Sequence, residues 1–260
     1  MGSDLKLLYC RALKSARSSI YLTTYGLNDA DVLGILQKSQ AVKHVIADAR
    51  QCRKNSMIER VKKSGLNHAK IALIDDKAYI GSANSTPSSL EMHDNFIMRI
   101  DSKELCQLLQ KTCFEQRTTG QFHLQVGEQP LEIWLTPDVK TQDRIEELIH
   151  SAKKSIKVAM FTLSNRTLIG ALKQARERGI DVKIITDRYT KSPMIEHIES
   201  KGPQLLHYKW ALIDDELLIS GSANWTRAAF DKNREIVVIL PLSPKQSRYC
   251  KRLWKKIYRH

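Results

Sequence analysis

Residues 68–76 read His-Ala-Lys-Ile-Ala-Leu-Ile-Asp-Asp, and residues 81–84 read Gly-Ser-Ala-Asn. The pattern returns at 207–215 as His-Tyr-Lys-Trp-Ala-Leu-Ile-Asp-Asp, and at 221–224 as Gly-Ser-Ala-Asn. His207 follows His68 by 139 positions and Gly221 follows Gly81 by 140, so one residue has entered the turn between the two parts of the motif. A lone H-x-K says almost nothing, since a strand histidine is more often a core or surface residue than a reactive one. Two complete copies of H-x-K-x-x-x-x-D with a trailing G-S-x-N, embedded in matching flanks, are not a chance recurrence.

The flanks extend the match. Ser15-Ala16-Arg17-Ser18-Ser19-Ile20 parallels Ser151-Ala152-Lys153-Lys154-Ser155-Ile156, and Val45-Ile46-Ala47-Asp48 parallels Ile184-Ile185-Thr186-Asp187. Met57-Ile58-Glu59 is aligned with Met194-Ile195-Glu196. The chain therefore divides into two tandem copies, residues 1–126 and 127–260, each of ordinary domain size. Each copy reads helix, strand, helix, strand, helix, then several strands and a closing helix, the alternation expected of an α/β fold with helices flanking a sheet. In the second copy, residues 141–152 carry an apolar stripe of Ile145, Leu148 and Ile149, and residues 156–163 read as a buried strand. Residues 166–178 read as a helix ended by Gly179, and 180–186 as a second strand. The closing helix, about 245–258, sets Cys250, Leu253, Trp254 and Ile257 on one face. Lys251, Arg252, Lys255, Lys256 and Arg259 lie on the other face, solvated or against phosphate. Leu131–Leu135 read as an opening strand of the second copy, and 118–130 as a linker. No such strand opens the first copy, and Met1-Gly2-Ser3 looks like an appended start, so N-terminal truncation and loss of a targeting segment are expected.

In an extended chain, residues two apart share a face, which sets His68 beside Lys70, His207 beside Lys209, Ser82 beside Asn84 and Ser222 beside Asn224. Imidazole can serve as nucleophile, acid or base near neutral pH. Ammonium, hydroxyl and amide groups can donate to phosphoryl oxygens. Two such sets facing each other would clamp a phosphate.

Composition bounds the partners. With 42 Lys+Arg against 28 Asp+Glu the net charge is +14, which favours polyanions: nucleic acid or an anionic membrane. The excess is shared between the copies, 18 basic against 12 acidic residues in 1–126 and 24 against 16 in 127–260, so it is not one basic tail. The five cysteines are scattered, with no C-x-x-C, so reduced thiols are expected in place of a disulfide framework or zinc site. Cys52, beside Arg53 and Lys54, reads as a surface thiol. No apolar run reaches the ~18 residues of a membrane span.

H-x-K-x-x-x-x-D followed by G-S-x-N, present twice, resembles the signature of the phospholipase D superfamily, and the resemblance spans nearly the whole chain. It implies two mixed sheets flanked by helices and related by a pseudo-twofold axis, with both motifs meeting at one site. One histidine would attack phosphorus and form a phosphohistidine, while the other protonates the leaving oxygen and then activates water, with no metal and no cofactor. Carried over, His68 and His207 would be the paired imidazoles. Lys70, Lys209, Asn84 and Asn224 would bind phosphate, supported by Ser82 and Ser222. Asp75 and Asp214 would hold structure, because a carboxylate beside a phosphate repels it. The resemblance also implies an acidic residue downstream of G-S-x-N that orients the histidine of the opposite half. The second copy has Glu235 there, whereas the first has Asn95, with His93 where the second has Asn233. Cross-pairing would place Glu235 behind His68, making His68 the nucleophile and His207 the general acid.

The signature sets a reaction class and leaves the substrate open. A nuclease is favoured by the basic charge and by Trp210, Trp225, Arg227, Arg188 and Tyr189 near the motifs, with core packing the competing account of the tryptophans. A phospholipase D or phosphatidyltransferase acting on anionic phospholipid is the alternative. A non-catalytic binding protein is the third reading, and phosphate-ester turnover would eliminate it. The internal repeat implies a monomer that is its own pseudo-dimer.

Overall fold

The computed structural model describes residues 2–189 and 194–258. In the first half, α1 (Gly2–Lys14), β1 (Ser19–Thr24), α2 (Ala30–Lys38) and β2 (Val42–Asp48) lead through β3 (Ile58–Val61) to the hairpin of β4 (Ile71–Ile74) and β5 (Lys77–Gly81). A π-helical turn, Ser88–Met92, precedes β6 (Ile97–Asp101), and α3 (Lys103–Leu109) runs on into π-helical Gln110–Glu115. The second half comprises β7 (Gly120–Val126), β8 (Gln129–Leu135), α4 (Lys140–Ser151), β9 (Ser155–Met160), α5 (Arg166–Glu177) and β10 (Asp181–Thr186). It continues with β11 (Ile198–Glu199), β12 (Lys209–Ile213), β13 (Leu217–Gly221), α6 (Arg227–Asp231), β14 (Ile236–Pro241) and α7 (Pro244–Ile257).

The sheets repeat one topology. The first has the order β3-β2-β1-β4-β5-β6 and the second β11-β10-β9-β12-β13-β14-β8-β7. In each, the strand before the second helix pairs in parallel with the strand after it, and antiparallel with the strand that follows the histidine. Side-chain caps start the crossover helices: Asp29 accepts from the N–H groups of Asp31 and Val32, and Asn165 from that of Leu168. Ser243 and Gln246 form a reciprocal capping box on α7, with Pro244 at its first turn. The two sheets share one core: Ile71, Leu73, Ile80 and Met98 from one meet Leu131, Ile133, Trp210 and Leu212 from the other. On its far side each sheet packs on its own helices, α1 and α2 or α4 and α5.

Four local expectations are corrected. The third helix of each copy is a short strand, β3 or β11: Ile58-Glu59-Arg60-Val61 continues the parallel sheet beside β2. Ile46 pairs with Glu59 and its counterpart Ile185 with Ile198, so the alignment of Met57–Glu59 with Met194–Glu196 slips. The linker over 118–130 is instead β7 and the start of β8, a hairpin at the edge of the second sheet, so membership of that sheet begins at Gly120, ahead of residue 127. Cys52 is buried, and burial raises its thiol pKa. The five cysteines are all free and buried. Among the described residues no helix is long and apolar enough to cross a membrane.

The inserted residue lies in the β12–β13 turn. Ile74 pairs with Lys77, leaving Asp75-Asp76 as the loop, whereas Ile213 pairs with Leu217 around Asp214-Asp215-Glu216. Asp75 (φ 52), Asp214 (φ 53) and Asp215 (φ 61) are left-handed, a conformation that Asp tolerates better than most residues.

Candidate active site

Each histidine lies in the extended segment that enters β4 or β12, and that segment is anchored twice. From its own half, Asp48 at the end of β2 accepts the Asn67 N–H at 2.9 Å, and Asp187 after β10 accepts the Leu206 N–H at 2.8 Å. From the other half comes a short backbone pairing. The His68 N–H donates to the Arg234 carbonyl at 2.9 Å, and the Arg234 N–H to the Leu66 carbonyl at 2.8 Å. Correspondingly, the His207 N–H donates to the Asp94 carbonyl and the Asp94 N–H to the Leu205 carbonyl, both at 2.9 Å. The segment after G-S-x-N in each half is thus stitched to the histidine segment of its partner.

The motif glycines make a close approach possible. A Cβ on Gly81 would lie 2.0 Å from the Phe96 carbonyl oxygen, and one on Gly221 2.0 Å from that of Ile236. Ser82 and Ser222 follow, buried, and each orients the residue behind the opposite histidine. Ser82 Oγ donates to Asn95 Oδ1 at 2.8 Å, and Ser222 Oγ to Glu235 Oε2 at 2.6 Å.

These residues close a crossed circuit. His68 Nδ1 is 2.8 Å from Glu235 Oε2, and His207 Nδ1 is 2.8 Å from Asn95 Oδ1. Glu235 can only accept, so the His68 proton sits on Nδ1. Asn95 Nδ2 donates to the Ser89 carbonyl at 2.8 Å, which turns Oδ1 toward His207 and puts that proton on Nδ1 too. Both Nε2 atoms therefore carry the lone pair.

Lys70 and Lys209 are buried, and their ammonium groups donate to the carbonyls of His68 at 2.5 Å and His207 at 2.9 Å. Each also lies over an aromatic ring, Lys70 at 5.7 Å from the Tyr25 centroid and Lys209 at 5.1 Å from that of Phe161. The same rings flank the histidines, at 5.2 Å for Tyr25–His68 and 5.1 Å for Phe161–His207. Half-buried Asn84 and Asn224 accept through Oδ1 from the N–H groups of Gly26 and Thr162, at 3.4 and 3.3 Å, which leaves their NH₂ groups as donors.

Burial of so much charge dominates the electrostatics. It lowers His68, against the pull of Glu235, and lowers His207 further, where Lys209, Lys70 and His68 add repulsion. It brings Lys70 down to about 7 and drives Lys209 well below the usual range, with Lys70 adding to the latter. Burial opposes ionisation of Glu235, but the His68 ring, its hydrogen bond and Lys70 outweigh it and hold the carboxylate below its ordinary value. The charges of the two histidine–lysine sets thus act on one another across the seam between the halves.

Asp75 and Asp214 are elsewhere. The Asp75 carboxylate accepts from the N–H groups of Arg17, Ser18 and Ser19, and Asp214 from those of Lys153, Lys154 and Ser155. Trp210 and Trp225 are buried, Trp210 edge-on against Trp254 at 5.9 Å, so neither offers a face to a base. Tyr25 and Phe161 belong to no motif, and Asp48 and Asp187 are marked in the sequence only as matching places of the repeat. Among the described residues no group of three or more His, Cys, Asp or Glu could hold a metal.

The family described as "Cardiolipin synthase, PLD-like domain" matches residues 9–117 and 145–257. The chain belongs to the phospholipase D-like superfamily. Mitochondrial cardiolipin hydrolase of Danio rerio is 31% identical over 128 residues, 43% of this chain and 56% of that protein. Phospholipase D of Rickettsia bellii is 28% identical over 127 residues, 45% of this chain and 63% of that protein. The chain thus spans between half and two thirds of the length of these relatives. Phosphatidylserine synthase of Haemophilus influenzae shares the fold across 100% of this chain and 85% of its own, with TM-score 0.75 and 12% identity.

Proposed function

We propose that the chain is a phosphodiesterase that works through a covalent phosphohistidine, with His68 as nucleophile and His207 as general acid. The observation that carries this reading is the Glu235 carboxylate 2.8 Å behind His68, where His207 has only the neutral Asn95. When His68 Nε2 bonds to phosphorus the ring becomes cationic, and a carboxylate on Nδ1–H stabilises that cation. The P–O bond breaks as His207 Nε2–H gives its proton to the leaving oxygen. Neutral His207 then takes a proton from water as the water oxygen attacks phosphorus. The P–N bond breaks and His68 is restored. Lys70, Lys209, Asn84 and Asn224 donate to the non-bridging oxygens. The anionic diester supplies the counter-charge that buried lysines and a protonated His207 need, so substrate binding itself sets the working protonation state.

Nucleic acid is the proposed substrate, supported by the net charge of +14 spread over both halves and by the exposed basic face of α7, which carries Lys251, Arg252, Lys255 and Lys256. Arg188 stacks on exposed Tyr189 at 4.7 Å, a surface pair suited to a single strand. A phospholipid substrate is the second reading, favoured by the names of the relatives that match in sequence. The proposed protein acts as a monomer, its two halves standing in for two subunits. The decisive experiment is cleavage of single- and double-stranded DNA in excess EDTA, with His68→Ala as control. Cleavage that survives EDTA and is lost in the variant supports the nuclease. A folded protein that spares DNA but hydrolyses a simple phosphodiester moves the substrate to lipid.

A further inference from the structure

His93 stands two residues before Asn95 in extended backbone (φ −93°, ψ 147°), so its side chain shares a face with the amide behind His207. The matching residue of the second half is Asn233. Asn233 is built into the clamp around His68: its Oδ1 accepts the Leu66 N–H at 3.1 Å, and its Nδ2 donates to Glu235 Oε1 at 3.4 Å. The His93 imidazole is not used in this way. It is half-buried, makes no hydrogen bond among the described residues, and lies against His207, with ring centroids 5.9 Å apart and planes at 50°. That separation is within the reach of one bridging water. Phe161, the other ring against His207, at 5.1 Å, cannot carry a proton.

His207 is the imidazole that needs one. Burial and repulsion from Lys209, Lys70 and His68 hold it neutral, with its Nδ1–H fixed on Asn95 Oδ1. An amide oxygen only accepts, so the proton that makes His207 an acid has to arrive at Nε2. His93 is lowered less strongly, by burial and by Lys209, with Asp187 opposing both. Asp4, Arg252 and Lys256 are the other charged side chains of the cleft that His93 borders, together with Asp94.

We propose that His93 is the proton carrier of His207: it takes a proton from solvent, passes it through one water to His207 Nε2 as the diester binds, and returns it to solvent when the product leaves. The inference rests on the assignment of His207 as general acid. In each transfer one N–H or O–H bond breaks as the next forms, so His93 ends each passage neutral. It acts through His207 and touches neither phosphorus nor the leaving oxygen. The halves differ at this place because their tasks differ. The attacking ring needs a fixed carboxylate, which Asn233 steadies, whereas the acid needs a supply of protons.

The test compares the whole chain with His93→Asn, which installs the residue of the matching place, and with His93→Gln, on an alkyl and a nitrophenyl diester. Thermal unfolding identifies a folding defect in either variant, and the second variant guards against one in the first. Loss of the carrier should lower kcat on the alkyl diester by about tenfold or more while slowing the burst on the nitrophenyl diester far less. Imidazole in the buffer should restore the alkyl-diester rate of both variants in proportion to its concentration, without raising that of the wild type. Equal loss on the two diesters, or a loss that imidazole leaves in place, would make His93 a structural residue and overturn the proposal. His207→Asn separates this failure from that of the wider reading: equal loss on both diesters in that variant would remove the acid itself, and its carrier with it.

Discussion

The Glu235 carboxylate accepts a hydrogen bond from His68 Nδ1 at 2.8 Å across the seam between the halves, and the matching place behind His207 is held by the Asn95 amide at the same distance. One imidazole is backed by charge and the other by a neutral dipole. Glu235→Gln should keep the geometry and lower kcat by about 10²- to 10⁴-fold, through slower phosphohistidine formation. Asn95→Gln should cost far less. A pre-steady-state burst assay checks both, and equal losses would contradict the division of roles.

His207→Asn separates the two chemical steps. Loss of the general acid should abolish cleavage of an unactivated alkyl diester, yet leave the first turnover on a nitrophenyl diester largely intact, because that leaving group departs without a proton. His68→Ala should lose both. If His207→Asn fails equally on both substrates, His207 is not the acid.

The buried lysines make stability depend on pH. The folded-state pKa of Lys70 is about 7, below its ordinary 10.5, so between these values the unfolded chain binds more protons. Stability should therefore rise as pH increases from about 7 toward 10.5. His68 and His207, both lowered from 6.5, act in the same sense at lower pH: their penalty is absent above 6.5 and grows as pH falls below it. Lys209→Met should abolish turnover and yet raise Tm at pH 7 by about 2–4 °C for each kcal/mol of relieved burial cost. Calorimetry across this range reads both effects, and a destabilised Lys209→Met would sink the electrostatic account.

Asp75 and Asp214 should act on folding alone. Asp75→Asn removes the negative charge and one of the two oxygens that accept three backbone N–H groups, and should cost about 1–3 kcal/mol, with kcat of the folded fraction unchanged. The N–H groups hold the Asp75 carboxyl below its usual value against the opposing effect of burial, so this stability is present above pH 3.8 and is lost as pH falls further. Urea unfolding at pH 7 and pH 3 tests the sign.

The repeat made most of the site legible. His68, Lys70, Ser82, Asn84 and their counterparts lie in short stretches whose identity survives duplication, and the exchange of Glu235 for Asn95 was visible by position. Harder to read were features set by long-range pairing. Phe122, Leu124 and Val126 alternate as a strand should, but Gly120, Gly127 and Pro130 around them have the composition of a linker, and only pairing with β8 decides the matter. Trp210 and Trp225 lie beside motif residues in sequence yet face the core, because neighbouring side chains in an extended segment point to opposite sides. Tyr25 and Phe161 come just after β1 and β9, and nothing local marks them as neighbours of a histidine more than forty positions away.

The stitching of each histidine segment to the far half has a consequence for inheritance. Two identical subunits related by a twofold axis must place the same side chain behind both rings, so any improvement of one ring as attacker is imposed on its mate. Joining the halves in one chain lifts that constraint and lets mutation tune donor and attacker separately. It also ties their fates: a substitution at Glu235 or Asn95 disables a ring in the opposite half, so neither half, expressed alone, should rescue a lesion in the other.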